Sequence, residues 1–365
     1  MRVLISRISW QPRSLGGAET SALAHARLLC DMGHEAQMVG NLMPRENQPY
    51  FKHIFMPRNK LIGQLVSFIY FPLLALLWRP DIINPHSRFD QIAFSFSKWL
   101  HRRPVVWKDP GDLESQIQLS RTSLLARLNQ WLLIGAMHRA DSIYTLNEND
   151  RHTLLERLEK LSRPINPDRI AVIRSDILFE DFDLTAKPAK KTSRLVVGYV
   201  GRIDQRKGPQ YLLEAFIKLN DPGTELWVIG NGPCYEQLEA MARGADNIIL
   251  WGYKTDYSAY LRGMDVFVQP AEQEGWGRTI KEAMYFSLPI VGSNVGGIAA
   301  QIEDGRTGLL FEPKNVAELT EQLHRLIKDA KLRRKLGSNA HKKAVADGDF
   351  RVVMRDQILP LFASF

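Results

Sequence analysis

The feature that most constrains the fold is an alternation of short apolar runs with helical patterns, which occurs twice along the chain. In the first half the strand-length runs are MRVLIS, EAQMVG, DIINPH and PVVWK, and a helical pattern covers residues 19–32. The alternation restarts at RLVVGYVG and continues through residues 210–219, a second helical pattern, to ELWVIG, NIILWG and DVFVQP. Such alternation is typical of parallel sheets covered by helices. We therefore predict the α/β class, with two Rossmann-like doubly wound parallel-sheet domains.

The predicted domain boundary lies in a polar segment between the two alternations. A chain of 365 residues is too long for one ordinary core and suits two. Residues 182–193, FDLTAKPAKKTS, are rich in lysine and contain a proline, as is typical of linkers. We predict an N-terminal domain over 1–181 and a C-terminal domain over 194–345. The amphipathic residues 346–365 are expected to form a final helix that packs back toward the N-terminal domain.

Cysteine usage and the opening residues indicate a reducing compartment. Cys30 and Cys234 are far apart and give neither a disulfide framework nor metal-ligand spacing. The opening MRVLISRISW carries arginines and continues into a glycine loop, which favours a first strand over a signal peptide. We therefore expect a cytoplasmic protein.

The net charge of +8 is concentrated in the first half of the chain. Residues 1–180 carry 23 Lys and Arg against 17 Asp and Glu, whereas residues 195–365 carry 21 of each. This excess indicates an anionic partner, such as a phospholipid surface or a phosphate-bearing acceptor, although an ordinary solvated basic face explains it equally well. No recognised nucleic-acid-binding motif accompanies the charge, so nucleic acid is not expected as a partner.

The apolar residues 61–78, LIGQLVSFIYFPLLALLW, raise the question of membrane contact. Two polar residues and a proline interrupt the stretch, and it is short for a membrane span. We favour a buried core helix over a membrane-contacting one. Because Lys52, Arg58 and Lys60 precede it, the alternative is peripheral attachment to the inner face of the cell membrane.

The motif EGWGRTIKE contains the strongest candidate site residues. Gly275 and Gly277 would let a ligand approach the backbone, and a helical pattern begins at residue 278. Backbone N–H groups at such a helix start suit a diphosphate. Glu282, one turn inside the helix, can accept hydrogen bonds from ribose hydroxyls, and Glu274 can reach a sugar next to the diphosphate. The alternative is that both glutamates are ordinary surface residues.

Two further glycine-containing loops follow predicted strands. In GYVGRIDQRKG, Arg202 and Lys207 lie in a glycine-flanked loop and suit a diphosphate, with ordinary surface cations as the alternative. Gly16 and Gly17 follow the first strand, but the sequence there lacks the full G-x-G-x-x-G pattern, so a nicotinamide site is not expected. Close approach of the backbone across an interdomain cleft is the better use of this pair.

Several short motifs occur together along nearly the whole chain. They are GGAE at 16–19, GR at 201–202 with KG at 207–208, EGWG through EAM at 274–284, LPIV at 288–291 and GG at 296–297. In this combination the chain resembles the retaining glycosyltransferases of family 4. The resemblance implies the GT-B architecture, in which two Rossmann-like domains face a cleft and bind the acceptor in the N-terminal and the donor in the C-terminal domain. It also implies retention of the anomeric configuration and no obligatory metal.

The same resemblance assigns roles to individual residues. It implies that Arg202 and Lys207 contact the phosphates, Glu282 the ribose and Glu274 the donor sugar. The segment WGYKTD at 251–256, which contains Tyr253, is expected near the base. The predicted catalytic residues are Asp109, Glu274, Arg202 and Lys207. The predicted donor-binding residues are Gly16, Gly17, Arg202, Lys207, Tyr253, Glu274, Gly275, Trp276, Gly277, Arg278, Thr279 and Glu282.

The chain departs from the family pattern at three places. Where a His commonly follows the Pro-Val-Val run, this chain has Asp109, which we assign to catalysis, with an ordinary Asp before a Pro-Gly turn as the alternative. Ala300 replaces the Glu usual after the second glycine pair, and Gln301 follows it. Residues 174–178 replace the usual Asn-Gly-Val-Asp segment.

Candidate acceptor residues and one apparent metal motif complete the site predictions. His86 and Asp112 are the candidates for the acceptor side, although a hydrogen-bonded strand-end histidine is the more ordinary role for His86. The Asp-x-Asp at residues 181–183 lies at the linker without the context of a metal site, and we interpret it as chance. No metal and no cofactor are expected, the co-substrate being the nucleotide sugar.

These observations predict a retaining glycosyltransferase. It would move a hexose-type sugar from a UDP- or GDP-linked donor to a hydroxyl of a glycan or lipid-linked acceptor, in the synthesis of cell-envelope polysaccharide or glycolipid. The alternative from another class is a non-catalytic GT-B binding or chaperone-like subunit, which the departures at residues 109 and 300 favour and the retained motifs oppose. A phosphorylase of the same fold would need a much longer chain.

Overall fold

The computed structural model describes residues 1–8, 17–41, 49–53, 60–109, 124–174 and 177–365. The chain forms two compact units, Met1–Asp176 together with Phe350–Phe365 (unit 1) and Ile177–Asp349 (unit 2). Residues 182–193, predicted as a linker, lie within unit 2, and the C-terminal residues from Phe350 onward belong to unit 1.

Unit 1 is built on parallel strands. They are β1 (Arg2–Arg7), β2 (Glu35–Gly40), β3 (Phe51–His53), β4 (Ile82–Pro85), β5 (Val106–Lys108), β6 (Ser142–Thr145) and β7 (Ile170–Val172). The strands pair in the orders β3-β2-β1-β4 and β5-β6-β7. A parallel bridge between Ile83 and Val105 connects β4 to the start of β5. The order of the first six strands is that of a Rossmann sheet.

Helices surround the core of unit 1, in which Phe71, Phe94 and Trp107 are fully buried. Trp107 sits on β5 and its indole N–H donates to Ser95 Oγ at 2.9 Å, so the buried ring has its hydrogen bond. The helices are α1 (Gly17–Asp31), α2 (Lys60–Trp78), α3 (Arg88–Phe96), α4 (Lys98–His101), α5 (Leu124–Arg139) and α6 (Glu148–Lys160).

Helix α2 corrects one expectation. The sequence favours a buried core helix for residues 61–78, and this is right for one face only. Phe71 and Ala75 are buried, whereas Ile69 is 67% and Leu77 is 83% exposed. The stretch is apolar all round, so its pattern could not indicate which face meets solvent. Among the helices of the described residues, none is both long and apolar enough to cross a bilayer.

Unit 2 contains one six-stranded parallel sheet with the order β10-β9-β8-β11-β12-β13. The strands are β8 (Leu195–Val200), β9 (Thr224–Ile229), β10 (Ile248–Gly252), β11 (Val266–Gln269), β12 (Ile290–Ser293) and β13 (Gly308–Phe311). The helices are α7 (Pro209–Leu219), α8 (Tyr235–Met241), α9 (Ser258–Arg262), α10 (Arg278–Tyr285), α11 (Gly296–Gln301), α12 (Val316–Lys328) and α13 (Ala330–Ala346). The predicted α/β class with two Rossmann-like sheets is thus confirmed.

The sheet of unit 2 is buried on both faces because successive residues of a strand point to opposite sides. On β8, Val197 and Tyr199 pack into one apolar cluster with α7 and α12, and Val196 and Val200 pack into the other with α10. Continuous apolar strands such as LVVGYV are the sequence counterpart of this double burial.

The C-terminal segment from Phe350 onward is helical. It consists of α14 (Phe350–Val353), a π-helical turn (Met354–Ile358) and α15 (Leu359–Ala363). Phe350, Met354, Ile358 and Phe362 are buried within unit 1. The π turn ends two residues before Pro360, which lacks the N–H needed for a regular helical hydrogen bond.

Candidate functional site

The main candidate site lies at the carboxyl ends of β8 and β11 in unit 2. These two strands are neighbours, and the strand order reverses between them. In open parallel sheets, ligands bind at such a switch point, outside the carboxyl ends of the strands. The β8 loop (residues 201–208) follows β8 directly, and the glycine turn (residues 274–277) follows β11 after residues 270–273.

The β8 loop is held by its own hydrogen bonds. Asp204 caps a short 3-10 turn through its side chain, which accepts from the Lys207 N–H at 3.1 Å. Gly208 has φ +70°, and a Cβ there would lie 2.0 Å from the Pro270 carbonyl oxygen, so only glycine fits. Arg202 is 45% exposed, and its Nε lies 3.1 Å from Asp204 Oδ2. The loop therefore presents two cations from a fixed backbone.

Lys207 and Glu274 form the central ion pair of the site. The ammonium of Lys207 donates to Glu274 Oε2, and the amide of Gln269, the last residue of β11, lies 3.5 Å from the same oxygen. The side chains of Lys207 and Glu274 are 28% and 10% exposed. Two predicted catalytic residues thus meet, each in reach of a ligand at the edge of the sheet.

The glycine turn leads into α10 and rests on the start of α11. Gly277 is the residue before the helix and has φ +74°. The Gly297 N–H donates to the Glu274 carbonyl at 3.0 Å, and a Cβ on Gly297 would lie 2.2 Å from the Gly275 carbonyl oxygen. The second glycine pair is therefore required for this close backbone contact. The side chain of Trp276 is buried.

Glu282 lies in α10 and is only 2% exposed. Its Oε2 accepts a hydrogen bond from the Tyr257 hydroxyl at 2.7 Å, and its Oε1 is 4.0 Å from Arg278 on the preceding helical turn. Burial, followed by the charge of Glu282, raises the pKa of Tyr257 well above its usual value. Tyr257 therefore stays protonated and orients the carboxylate as a donor.

The remaining predicted residues of unit 2 lie on the same edge. Thr279, in the first turn of α10, has its hydroxyl 3.4 Å from Gln269 Oε1. Tyr253 follows β10 directly and is 48% exposed, with its ring open to a stacking partner. The structure thus forms two groups of contacting residues. One group consists of Lys207, Glu274, Gln269 and Thr279. The other consists of Arg278, Glu282 and Tyr257.

Only some of the predicted site residues of unit 1 lie among the described residues. Gly16 and Asp112 lie outside the described residues, and Gly17 is the first residue of α1. His86 is buried, and its Nε2 is 2.7 Å from Asn84 Oδ1. Because the Asn84 amide donates to Val106 at 2.6 Å, its oxygen accepts from the ring N–H. His86 is thus a hydrogen-bonded strand-end histidine, the alternative that the sequence left open.

Asp109 directly follows β5 and is 1% exposed. Its N–H donates to the Tyr144 carbonyl at 2.9 Å. The neighbouring Lys108 is also buried and donates to the Ser21 hydroxyl of α1. The catalytic role assigned to Asp109 stays a prediction.

A buried acid that the sequence did not single out lies close to these residues. Asp90, on α3, accepts hydrogen bonds from Ser6 Oγ at 2.5 Å and from the Ser87 N–H at 3.0 Å. Burial raises its pKa to about 6 against these hydrogen bonds and the charge of Arg7, which lower it. For His86, burial followed by the nearby His25, Lys108 and Arg7 lowers the pKa well below its usual value.

Two family models match the chain and together cover most of it. The model described as Glycosyltransferase Family 4 matches residues 15–175, and the model described as Glycosyl transferases group 1 matches residues 181–343. The chain belongs to the family 4, group 1 glycosyltransferases.

Several curated and solved proteins are similar to this glycosyltransferase. The capsular polysaccharide biosynthesis glycosyltransferase CapM of Staphylococcus aureus is 28% identical over 78% of this chain and 77% of its own length. The alpha-D-kanosaminyltransferase of Streptomyces kanamyceticus is 29% identical over 58% of this chain, and the match spans only 57% of that relative. Anabaena HepE, solved with UDP-glucose, has the same fold, with a TM-score of 0.77, 18% identity and full coverage of both chains.

Some residues of the glycosyltransferase site could not be found from the motifs. Tyr257 and Gln301 are each 25 residues away in sequence from their partners Glu282 and Trp276. Asp204 and Gln269 lie inside or next to the predicted segments, and their polar side chains at strand ends are the signal that could have identified them. Within the described residues, no group of three His, Cys, Asp or Glu side chains could hold a metal ion.

Proposed function

We propose that this glycosyltransferase transfers a hexose from a UDP- or GDP-linked donor to a hydroxyl of a glycan or lipid-linked acceptor, with retention of the anomeric configuration. The observation that carries the proposal is the cluster at the carboxyl edge of unit 2. Lys207 and Glu274 touch, Arg202 lies in the same loop as Lys207, and Glu282 is oriented by Tyr257. One edge of the sheet therefore carries two cations that suit a diphosphate and two carboxylates that suit a sugar and a ribose.

Arg202 and Lys207 would hold the diphosphate. In the absence of donor Lys207 is paired with Glu274, and the charge of a phosphate offers it a stronger partner. Phosphate binding would then leave the Glu274 carboxylate to accept hydrogen bonds from the donor sugar. The start of α10 adds backbone N–H groups and the positive end of a helix dipole.

Glu282 would bind the ribose. A carboxylate accepts through both oxygens, and Tyr257 occupies one position on Oε2 at 2.7 Å. The two ribose hydroxyls are donors and would hydrogen-bond to the same carboxylate. Tyr253, half exposed beside β10, would then stack on the base.

Reaction at this site would start with cleavage of the bond between the sugar carbon and the diphosphate oxygen. Negative charge develops on the departing phosphate, where Arg202, Lys207 and the helix start stabilise it. The acceptor hydroxyl attacks the same face of the sugar, and its proton passes to the departing phosphate oxygen. Asp109 is proposed to orient the hydroxyl or to stabilise positive charge on the sugar.

Names of similar proteins support the donor and the acceptor class. HepE was solved with UDP-glucose, and CapM is named for capsular polysaccharide biosynthesis. Because cations and N–H groups supply the positive charge at the leaving group, we propose that the reaction needs no metal.

The donor is best tested by thermal shift with UDP, GDP, ADP and their sugars. A ligand that binds the folded protein raises its stability by RT ln(1 + [L]/Kd), so one nucleotide series should raise Tm clearly. The anomeric proton signals of the product then show retention, and an inverted product would contradict the proposed mechanism. Donor binding without any transfer or hydrolysis would favour the non-catalytic subunit.

We further propose that unit 1 attaches reversibly to an anionic membrane surface at the cytoplasmic face. Helix α3 packs against α2, α4 and α5, and all three carry exposed apolar side chains. Leu77 of α2 is 83%, Trp99 of α4 is 77% and Trp131 of α5 is 58% exposed. Exposed arginines stand near them in the sequence, among them Arg79 and Arg102.

Basic residues near an anionic leaflet contribute about 1 kcal/mol each, so a few of them with inserted apolar side chains give salt-sensitive attachment. Of the basic residues that support this proposal, Lys52 is exposed and Arg58 lies outside the described residues. Co-sedimentation with anionic and neutral liposomes at low and high salt tests the proposal. Trp131→Ser should weaken binding to anionic liposomes, and Ile217→Ser, an exposed apolar position of unit 2, should not. Failure of the wild type to bind either liposome would favour a soluble acceptor.

A further inference from the structure

We infer that Gln301 is a positioning residue that fixes the direction of the peptide groups in the glycine turn. The inference rests on the proposed function, because it concerns how the turn meets the donor diphosphate. Gln301 is the last residue of α11 and is only 3% exposed. It replaces no motif residue and follows Ala300, where the family pattern has a glutamate.

The side-chain amide of Gln301 is directed at backbone carbonyls of the turn. Its Nε2 donates to the Trp276 carbonyl, lies 3.5 Å from the Gly277 carbonyl and donates to the Gly297 carbonyl at 3.1 Å. The opposite amide orientation would place an oxygen against these carbonyl oxygens, so the contacts themselves assign the nitrogen. One side chain thus ties the turn to the helix on which it rests.

These contacts decide where the N–H groups of the turn point. In a trans peptide the C=O of one residue and the N–H of the next lie on opposite sides, and no cis peptide bond occurs in the described residues. With the Trp276 carbonyl held by Gln301, the Gly277 N–H points away from Gln301. The same applies to the Arg278 N–H, whose peptide carries the Gly277 carbonyl. These N–H groups open α10, where the helix itself offers no acceptor.

The second observation is that the amide oxygen of Gln301 is buried without a hydrogen-bond partner among the described residues. A buried polar atom without a partner lowers stability, and an apolar side chain of the same size would avoid that cost. The polar bonds of Gln301 that are seen all go to the turn and to Gly297. Because the buried amide oxygen lowers stability, the contacts of the amide nitrogen with the turn fit a role in binding better than a role in stability.

The test compares Gln301→Met with a matched control, Asn247→Leu. Asn247 also donates a side-chain amide to a backbone carbonyl, that of Thr224 at 3.3 Å, but at the amino-terminal end of β9 and thus at the opposite edge of the sheet. Nucleoside diphosphate affinity by calorimetry, Tm, and donor and acceptor KM are measured for both. We expect Gln301→Met to lower kcat/KM for the donor by about 10- to 100-fold, as misplaced binding groups do. Its Tm should change no more than that of Asn247→Leu, and the acceptor KM should not change.

A second variant, Gln301→Glu, keeps the size and puts a carboxylate oxygen against the carbonyls, so its affinity should fall further. Unchanged nucleotide affinity in both variants would overturn the inference, and so would a loss of affinity that only follows a loss of Tm. Glu282→Gln separates this failure from that of the proposed function. If Glu282→Gln loses affinity and the Gln301 variants do not, only the role of Gln301 is wrong, and if none of them loses affinity, the donor site itself is wrong.

Discussion

The carboxyl edges of the two sheets hold polar groups in different ways. In unit 2, Lys207 and Glu274 pair with each other and stay partly exposed. In unit 1 the polar groups Asn84, His86 and Asp90 are buried and hydrogen-bonded to their own strands and helices.

This difference separates groups that can exchange partners from groups that cannot. The lysine of a partly exposed ion pair can exchange its carboxylate for a charged ligand, because the ammonium is paired with an anion in both states. A buried network has no such freedom, since each polar atom must keep its bond or lose stability. The ion pair of unit 2 is therefore better suited to a charged ligand than the network of unit 1, which holds its strand ends in place.

Lys207→Met should have the largest effect on kcat. The substitution removes a cation that would stabilise the negative charge of the leaving group. Loss of one group that stabilises charge in the transition state typically costs about 10²- to 10³-fold in rate, and we expect kcat to fall within that range. The matched control is Lys218→Met, an exposed lysine that pairs with Glu214 at 3.0 Å in the same unit. Equal kcat for the two variants would show that exchange of the Lys207 partner has no part in catalysis.

Asp90→Asn should change how stability depends on pH. The pKa of Asp90 is about 6 in the folded protein, above its ordinary value of 3.8, so the folded state holds a proton that the unfolded state releases between these values. The stabilisation is complete below about pH 4 and is lost as pH rises through about 6, a difference of about 3 kcal/mol. Asn imitates the protonated acid and does not titrate.

The stability of Asp90→Asn relative to wild type should therefore rise by about 2 kcal/mol, most of that difference, between about pH 4 and about pH 7 in urea unfolding. The lowered pKa of His86 gives the opposite slope, but it does so in both proteins and cancels in the comparison. Asp246→Asn is the control, because its side chain is 85% exposed. A difference that does not change with pH would mean that Asp90 is not a buried titrating acid.

Metal chelation should have the smallest effect. If cations and N–H groups of unit 2 stabilise the leaving group alone, turnover in excess EDTA should equal turnover without it. Loss of activity that Mn²⁺ or Mg²⁺ restores would contradict metal independence. It would mean that a metal ion, and not only the side chains of unit 2, stabilises the leaving group.

The sequence predicted most of the fold because its strands are apolar on both faces and stand out as continuous runs. Both parallel sheets and the helix from residue 278 were expected from such patterns. The exposed face of α2 could not be predicted, since a helix that is apolar all round carries no periodic signal.

That Lys207, Glu274 and Glu282 lie at one sheet edge could be expected for a related reason. Lys207, Glu274 and Glu282 lie in short motifs in which glycines mark the ligand-facing backbone. Tyr257 and Gln301 could not be found, because folding alone brings them to Glu282 and Trp276. Asp90 was missed since an acid in a helical pattern is ordinarily exposed, and only the packed structure shows that it is buried.

The most direct test of the account is nucleoside diphosphate binding to Glu282→Gln by calorimetry. The substitution keeps the size of the side chain and its bond from Tyr257 but removes the negative charge that the ribose hydroxyls would meet. Since hydrogen bonds to charged groups contribute about 1.5–3 kcal/mol, we expect affinity for the UDP or GDP series to fall at least about 10-fold, with Tm unchanged. Unchanged affinity for every nucleoside diphosphate would contradict the claim that the carboxyl edge of unit 2 is the donor site.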